Sequence, residues 1–328
     1  MKALLIGFGV MGKNHARLLA QNSAVKKIII VDPYINNTKS QFNNLYKTYK
    51  TITHALRNHR PDFAIVASPT STHYEQCFKL LAHKIPFIVE KPITTDFFLA
   101  SKIIQHAEEL NIQILPGHVE RYNPAVIFLK NKLKNYDINS IYRIEVNRCS
   151  PFPPRITDLG VGFDLSVHDL DVLNYLLGCT PHSVFSSFSY NIHPNYEDGL
   201  VSIINYDHNI QCIMNTNWTS PLKKRELKIF AGWGLFKLDF ISQEVEFFEN
   251  PSAISKDGSW GWTGISEGQR IRFNINKFEP LKNEHNFFLN KLGTSYKFKE
   301  QINSALNAIK VVSAFHQSNL TKSFIEIE

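Results

Sequence analysis

The stretch GFGVMGKNHA, residues 7–16, directly follows the apolar run ALLI at residues 3–6. Its glycines Gly7, Gly9 and Gly12 fit the dinucleotide-binding pattern G-x-G-x-x-G, in which a strand is followed by a glycine-rich turn and a helix. The stretch also nearly fits the P-loop pattern G-x-x-x-x-G-K-[ST], because Lys13 follows Gly12. A P-loop needs a Ser or Thr next, to place a hydroxyl on Mg²⁺, and Asn14 stands there instead. The dinucleotide pattern is therefore favoured.

An acidic residue stands where a dinucleotide site needs one. Such sites carry an Asp or Glu about 20 residues further on, where it binds the ribose hydroxyls. Asp32 lies 20 positions after Gly12, at the end of the apolar run IIIV at residues 28–31. Its carboxylate is suited to accept hydrogen bonds from both ribose hydroxyls and to repel a 2′-phosphate. The sequence therefore predicts NAD as the cofactor in preference to NADP.

Each glycine of the loop has its own predicted role. Gly7 permits the tight turn, Gly9 lets the backbone approach a pyrophosphate, and Gly12 lets the helix pack on the strand. The helix N-terminus then faces the negative charge of the pyrophosphate. The other loop residues predicted to line the cofactor are Phe8, Val10 and Met11. A glycine-rich turn that binds nothing is the alternative.

Short apolar runs alternate with helical patterns over the first 120 residues. The predicted strands cover residues 3–6, 27–31, 63–67, 87–90 and 112–115, and the predicted helices cover 14–21, 72–82 and 96–110. Continuous apolar runs are typical of parallel strands buried on both faces. Strands and helices in alternation predict an α/β domain with a doubly wound parallel sheet over residues 1–120.

The pattern changes near residue 120, where short alternating runs begin. The predicted strands there are residues 142–148, 184–190, 200–206, 210–218, 226–230, 235–240 and 245–248. One helix interrupts them at about 165–177, residues 250–268 resemble a loop, and a last helix covers about 301–316. Strands that are rarely separated by helices favour an antiparallel sheet. A second, α+β domain is therefore predicted for residues 121–328.

Composition narrows the class of protein. A chain of 328 residues with 43% hydrophobic content can bury the cores of two domains. Its formal net charge of +7 comes from scattered lysines and arginines, which favours a solvated basic surface over a nucleic-acid partner. The four cysteines are far apart and form no C-x-x-C pair, so reduced thiols and no metal site are expected. The sequence has neither a signal peptide nor an apolar run long enough for a membrane span, so we expect a cytoplasmic protein.

The segment EKPI, residues 90–93, follows a predicted parallel strand. Ligands of open α/β sheets bind beyond the carboxyl ends of the strands. Lys91 is therefore placed to reach a nicotinamide or a substrate beside it, and a lysine of lowered pKa can transfer a proton near neutral pH. An ordinary loop lysine before a proline is the alternative.

A second cluster lies in DLSVHDLDVLNYLLG, residues 164–178. Asp164, His168 and Asp171 are spaced so that a regular helix would place them on one face. A histidine with carboxylates one turn away is oriented for proton transfer. The alternatives are an N-cap with a solvated polar face, and an incomplete set of metal ligands.

Taken together, these motifs resemble those of the glucose–fructose oxidoreductase, inositol dehydrogenase and rhizopine-catabolism (Gfo/Idh/MocA) family. The segments that carry the resemblance are GFGVMGKNHA, VDP (31–33), ASPTSTHYE (67–75), EKPI, DLSVHDLDVLNYLLG and ALNAIKVVSAFHQSN (305–319). The resemblance implies an N-terminal Rossmann domain and a C-terminal domain with a large open, mainly antiparallel sheet. It also implies a final helix that packs back on the first domain, and a homodimer or homotetramer formed through the sheet.

The resemblance also implies roles for individual residues. Lys91 would be the catalytic lysine, and Asp164 and His168 the acid and histidine that act with it, all three in contact with the substrate. The residues that it places along the cofactor are Ser68, Pro69, Thr70, His73 and Glu90. The implied activity is oxidation of a secondary hydroxyl of a small sugar or inositol substrate.

The segment GHVERYNPA, residues 117–125, resembles dehydrogenases that oxidise the 3-hydroxyl of UDP-N-acetylglucosamine-type substrates. On that resemblance, Arg121 and Asn123 would contact the substrate, although Tyr122 stands where Phe is commoner. An inositol or a free sugar is the alternative substrate. A redox-sensing regulator that binds the cofactor without turnover is the rival function, and nucleic-acid binding a third.

Overall fold

The computed structural model describes residues 1–35, 45–153, 158–193, 195–250 and 268–327. Apart from its two end residues, the predicted loop at 250–268 lies outside the described residues. The chain divides into two compact units. Unit 1 comprises Met1–Val119 with Leu281–Ile309, and unit 2 comprises Glu120–Pro280 with Lys310–Glu328.

Eight α-helices are seen in the described parts of the chain. They are α1 (Val10–Gln21), α2 (Ile52–Asn58), α3 (His73–Ala82), α4 (Phe97–Glu109), α5 (Pro124–Leu133), α6 (Val167–Leu177), α7 (Pro280–Lys291) and α8 (Lys299–Thr321). Helix α1 begins four residues before the predicted start at residue 14, so the last three residues of the glycine motif, 10–12, lie in its first turn. Helix α8 extends beyond the predicted 301–316 at both ends.

A six-stranded parallel sheet forms the centre of unit 1. Its strands are β1 (Lys2–Ile6), β2 (Lys27–Val31), β3 (Tyr46–Tyr49), β4 (Phe63–Val66), β5 (Phe87–Glu90) and β6 (Ile114–Gly117). The order β3-β2-β1-β4-β5-β6 reverses direction at β1, which confirms the predicted doubly wound sheet. Strands β1, β2, β4 and β5 are buried almost throughout, as their continuous apolar sequences predict.

Helix α7 and the segment that joins it to α8 complete the core of unit 1. The Phe288 ring lies 5.9 Å from that of Phe63 on β4 and 5.9 Å from that of Phe298. The side-chain amide of Gln113, just before β6, donates to the carbonyls of Lys291 and Tyr296. Residues that are distant in sequence are thus fixed to the parallel sheet by both apolar and polar contacts.

Unit 2 is built on a nine-stranded mixed sheet. Its strands are β7 (Ile141–Pro151), β8 (Ser183–Ser189), β9 (Gly199–Asn205), β10 (Gln211–Asn217), β11 (Thr219–Ala231), β12 (Gly234–Asp239), β13 (Glu244–Glu249), β14 (Arg270–Arg272) and β15 (Ile325–Glu326). The order is β14-β13-β12-β11-β7-β10-β9-β8-β15, and only the β7–β10 pair is parallel. The predicted mainly antiparallel sheet is therefore confirmed.

Helix α8 contributes its C-terminal half to unit 2, where it covers β8. The Ser186 hydroxyl donates to the carbonyl oxygen of Phe315 at 2.6 Å, and its backbone N–H donates to the Ser318 hydroxyl at 2.9 Å. In the described ranges, no helix combines the length and apolar character needed to cross a membrane.

Candidate active site

The turn between β1 and α1 has room for glycine alone at two of its three motif positions. Gly7 adopts φ +92°, a conformation that favours glycine, and a Cβ there would lie 2.5 Å from the Ala67 carbonyl oxygen. A Cβ on Gly12 would lie 2.2 Å from the Gly7 carbonyl oxygen. The two glycines therefore bring the first turn of α1 directly against the end of β1.

Gly9 differs, because a Cβ built on it would meet nothing within 4 Å. Gly9 is the N-cap of α1, its carbonyl accepts the first helical hydrogen bond from Lys13 N–H at 3.0 Å, and no side chain caps the helix. The N–H groups of the first turn precede that bond and are suited to an anion, as is the positive end of the helix dipole. The open space beside Gly9 therefore fits the pyrophosphate of a dinucleotide.

Asp32 is held in one orientation by the backbone. Its Oδ2 accepts from Phe8 N–H at 2.8 Å, and its Oδ1 accepts from Tyr34 N–H at 2.9 Å. Each carboxylate oxygen can accept a further hydrogen bond. The carboxylate is thus fixed beside the glycine turn with capacity left for two ribose hydroxyls.

The loops after β4 and β5 are joined by His73. The ring is buried, its Nδ1 lies 3.1 Å from the carbonyl of Pro92 and its Nε2 lies 3.0 Å from the carbonyl of Ser68. Burial lowers the His73 pKa, and hydrogen bonds to these carbonyls only partly oppose that effect. A neutral ring carries one N–H, so it donates to one loop carbonyl and packs against the other. Of the predicted neighbours, Thr70 is buried, Ser68 is partly exposed and Pro69 is exposed.

The Lys91 side chain, partly exposed, follows the carboxyl end of β5 and so lies where ligands of such sheets bind. The Lys91 N–H lies 3.3 Å from Oε2 of Glu90, and Oε1 of Glu90 lies 2.9 Å from Nε2 of His15. Burial raises the Glu90 pKa, but the hydrogen bond and charge of His15 and the charge of Lys91 outweigh it, so the Glu90 pKa is lowered. An ionised carboxylate therefore lies directly beside the candidate catalytic lysine.

In unit 2, Asp164 and His168 lie on an irregular turn. A π-turn, Gly162–Ser166, carries Asp164 and runs into α6, which carries His168 near its start. The buried Glu197 holds this turn, since its Oε1 accepts from Gly162 N–H at 3.0 Å and its carbonyl accepts from Val161 N–H at 3.0 Å. Asp164 and His168 are both partly exposed, whereas most of their neighbours are buried.

Asp171, predicted to share a polar face with Asp164 and His168, is buried. Its carboxylate accepts from both Nε and Nη2 of Arg121, at 3.1 Å and 2.7 Å. The prediction assumed one regular α-helix, but the π-turn changes the angular spacing of Asp164 relative to the other two residues. Asp171 lies three positions after His168 on α6, and its ion pair with Arg121 anchors the helix there.

Arg148 holds α6 at a second point. Its Nε and Nη2 donate to the two oxygens of Asp169 at 2.7 Å and 2.8 Å, and its Nη1 donates to Glu120 at 3.2 Å. Burial alone would lower the Arg148 pKa, but the charges of Asp169 and Glu120 outweigh it and raise that pKa. Removing one partner of such a buried pair typically costs about 3–5 kcal/mol, because the other charge is left uncompensated. Helix α6 is thus fixed close to His168 by two bidentate ion pairs.

Arg121 and Asn123, which were predicted to contact substrate, lie in the same buried network. Their exposed fractions are 4% and 1%. Asn123 caps α5 by accepting from Ala125 N–H, and its amide donates to Glu120 and to the carbonyl of Phe240. These contacts give both residues a structural part.

The sequence analysis did not identify Arg148, Glu120 or Arg225. The Nη1 of Arg225 also donates to Glu120, at 3.1 Å. For Arg148, the sequence does contain a signal that could have identified it. Strand β7 alternates, and Arg148 shares the buried face with Ile144 and Val146. A charged residue on the apolar face of an alternating strand indicates a buried partner of opposite charge. Across the described segments, no group of three or more His, Cys, Asp or Glu side chains is arranged to hold a metal ion.

The fold and the glycine turn define a dinucleotide-binding protein of the Rossmann type, and comparison with known proteins gives its family. Residues 1–118 match the oxidoreductase family with an NAD-binding Rossmann fold, and residues 128–234 match the Gfo/Idh/MocA C-terminal domain. The chain belongs to the Gfo/Idh/MocA family.

Three curated relatives are similar to part of the chain. The rhizopine catabolism protein MocA of Rhizobium meliloti is 26% identical over 181 residues, which cover 54% of this chain and 57% of that protein. Inositol 2-dehydrogenase 2 of Mycolicibacterium vanbaalenii is 25% identical over 54% of both chains. UDP-N-acetylglucosamine 3-dehydrogenase of Acidithiobacillus ferrooxidans is 32% identical over 123 residues, 38% of each chain. The matched segments thus cover between 38% and 57% of the length of these relatives.

The crystal structure of the Acidithiobacillus enzyme is similar to the whole chain. It superposes with a TM-score of 0.80 over 97% of both chains, at 19% identity. At that identity the similarity establishes a shared fold.

Proposed function

We propose that this protein is an NAD-dependent dehydrogenase that oxidises a secondary hydroxyl of a sugar or nucleotide sugar to a ketone. The observation that carries the proposal is Lys91, which follows the carboxyl end of β5 beside an ionised Glu90 in a domain whose glycine turn fits a dinucleotide. A protein that only senses the cofactor has no need of a lysine held in this way.

The proposed chemistry needs a hydride acceptor and a proton acceptor. NAD, when bound, accepts the hydride of the oxidised carbon. Lys91 or His168 takes the proton of the substrate hydroxyl, and Asp164 orients the histidine. The two ion pairs on the buried side of α6 keep the His168 backbone in place, which lowers the entropy cost of orienting the base.

We propose NAD over NADP on the basis of Asp32. The backbone N–H groups of Phe8 and Tyr34 fix this carboxylate beside the glycine turn. A 2′-phosphate on the ribose would lie close to that charge and be repelled. Two hydroxyls in its place could donate to the carboxylate instead.

For the substrate, we favour a UDP-N-acetylglucosamine-type nucleotide sugar oxidised at its 3-hydroxyl. Support comes from the segment at residues 117–125 and from the 32% identity to the Acidithiobacillus dehydrogenase. Because Arg121 and Asn123 are buried, we now propose that they position α6 and α5 and do not touch the substrate. An inositol is the second candidate, since the similarity to inositol 2-dehydrogenase 2 extends over more of the chain, 54% against 38%.

A substrate screen tests this proposal. Purified protein is incubated with NAD or NADP and a panel of UDP-sugars, free sugars and inositols, and reduced nicotinamide is followed by its absorbance. The Lys91→Ala variant, shown to bind NADH by fluorescence, is the control. We expect NAD reduction with at least one class, strongly reduced in the variant. Tight NADH binding without turnover on any class would favour a redox-sensing regulator.

A further inference from the structure

Three titratable side chains form a buried chain that ends at the candidate catalytic lysine. Nε2 of His285, on α7, lies 2.7 Å from Nδ1 of His15, on α1. Nε2 of His15 lies 2.9 Å from Oε1 of Glu90, and Oε2 of Glu90 lies 3.3 Å from Lys91 N–H. The two imidazole planes are inclined by only 8°, so each ring presents its edge to the next group. All four residues belong to unit 1.

The positions of the protons follow from this geometry. Because Glu90 is ionised, His15 Nε2 must donate to it. Burial, with the charges of His15 and Arg17, holds the His285 pKa well below its ordinary value of 6.5, so His285 is neutral. The contact between His15 Nδ1 and His285 Nε2 therefore holds one proton, which His285 donates to a neutral His15 ring and which a charged His15 ring donates to His285.

A carboxylate with this degree of burial needs such a donor. Glu90 is 7% exposed, and an unpaired buried carboxylate would take up a proton to avoid the cost of desolvation. His15 therefore controls both the orientation and the charge of the Glu90 side chain, and His285 holds the opposite edge of the His15 ring.

We propose that His15 and His285 are positioning residues for Lys91: they hold the Glu90 carboxylate in place, and Glu90 in turn holds the Lys91 backbone N–H. The proposal rests on the proposed function only in that Lys91 is the residue whose position matters. The proposal gives α7 a functional part, because its His285 completes the row of hydrogen-bonded side chains. This helix is far from β5 in the sequence.

Competitive labelling of the ligand-free protein tests the proposal without a substrate. An amine-reactive reagent is added near neutral pH, and the labelling of Lys91 is measured by peptide mass spectrometry against an internal reference, exposed Lys102. We expect Glu90→Ala, His15→Leu and His285→Leu each to raise the relative labelling rate of Lys91 by at least about threefold, because the segment that carries Lys91 is held less firmly and its amine meets the reagent more often. His285→Gln keeps an N–H donor and should restore a rate close to that of the native protein.

The control is His83→Leu, which removes an exposed histidine of the same unit. Thermal unfolding and NADH fluorescence titration show that each variant folds and binds cofactor. A purely structural part for the two histidines predicts equal Lys91 labelling in all folded variants, and that result would overturn the proposal. A failed substrate screen would leave this labelling result unaffected, so the two proposals can fail separately.

A measurement on the native protein covers the case in which the leucine variants do not fold. Nitrogen-15 NMR of histidine-labelled protein should show His15 protonated at Nε2 and one further proton between His15 Nδ1 and His285 Nε2, with both protons exchanging slowly with water. An unprotonated His15 Nε2, or rapid exchange of both protons, would contradict the hydrogen-bond chain and the proposal with it.

Discussion

At the scale of single residues, we propose that Asp32 determines the choice of cofactor. Replacing it with Ser removes the carboxylate that accepts from Phe8 and Tyr34 and that is proposed to bind the ribose. We expect Asp32→Ser to weaken NADH binding by about 1–3 kcal/mol, the range for a charged hydrogen bond. NADPH binding should weaken less or improve, because the repulsion of its 2′-phosphate is lost.

Fluorescence titration with both reduced cofactors measures this change. Asp62→Ser is a suitable control, because that carboxylate also accepts a backbone N–H, from Lys2, but lies before β4 at the opposite end of the strands. A native protein that already prefers NADPH would show that the assignment of Asp32 is wrong.

His285 gives a residue-scale prediction about pH. Its pKa is lowered well below 6.5 in the folded protein by burial and by the charges of His15 and Arg17. The unfolded chain therefore binds more protons than the folded one below about pH 6.5, so this residue's contribution to stability is present above that pH and is lost as the pH falls towards the folded value. His285→Gln should flatten the dependence of the free energy of unfolding on pH in this range.

Denaturant unfolding at a series of pH values between about 7 and 5 measures the slope. The other buried histidine with a lowered pKa, His73, stays in place in both proteins, so the difference between the two slopes reports on His285. An unchanged slope in the variant would mean that His285 has a similar proton affinity in the folded and unfolded states.

At the scale of elements, the turn between β1 and α1 contains one glycine that packing requires, Gly12, and one that we propose cofactor binding requires, Gly9. A Cβ on Gly12 would lie 2.2 Å from a backbone oxygen, so Gly12→Ala must displace the helix from the strand. We expect the free energy of unfolding to fall by about 1–3 kcal/mol, the usual cost of overpacking. NADH binding should fall with it.

Gly9→Ala is the matched variant, because its Cβ would meet nothing within 4 Å. Its free energy of unfolding should stay within about 1 kcal/mol of that of the native protein, since Gly9 has an ordinary φ of −70°. NADH binding should nevertheless weaken at least about tenfold, because the new methyl group would lie where the pyrophosphate approaches. Normal binding by Gly9→Ala would contradict the placement of the cofactor at this turn.

The sequence predicts those helices, strands and turns that are determined by a local pattern of residues. The buried strands of unit 1 have continuous apolar sequences, and the glycine motif identifies the first turn. Strand β3 was not predicted, because its sequence YKTY is short and only partly buried at the edge of the sheet. Helix α7 was not predicted either, since its apolar residues become a core only when they meet β4.

In the candidate site, too, some residues can be predicted from local sequence and others cannot. Lys91 and His168 lie in short motifs that a reader of the sequence can recognise. The partners of His15 and Arg148 cannot be read off in this way, because Glu90 and His285 are 75 and 270 positions from His15, and Asp169 lies on a different element from Arg148. The π-turn escaped prediction because a single inserted residue leaves no clear periodic signal.

At the scale of the whole molecule, we propose that the sheet of unit 2 mediates a homodimer or homotetramer. Its face away from α6 carries an apolar row across three strands, in which Phe185 pairs with Ile203 and Ile203 with Ile213. Val201 on the same face is 53% exposed, and Ile213 is 38% exposed. Apolar side chains that adjoin on an exposed face typically mark an interface.

We expect a dimer or tetramer at micromolar concentrations and a smaller species for the double variant Val201→Glu/Ile213→Glu, because two buried charges would oppose association. Analytical ultracentrifugation measures both. Leu320→Glu, on the 82% exposed Leu320 of α8, is the control and should assemble normally. A native protein that sediments as a monomer would exclude the proposed assembly.

The central claim, that Lys91 and His168 carry out proton transfer in a dehydrogenase, is tested most directly by steady-state turnover of Lys91→Ala, His168→Ala and the double variant. Each single change should lower kcat by about 10²–10⁴, the range for a lost general acid or base. The double change should cost less than the product of the two, because groups that act as a unit are not additive. NADH binding should survive in all three, since the glycine turn and Asp32 hold the cofactor independently. Near-native turnover of Lys91→Ala would remove the lysine from the mechanism and contradict the account.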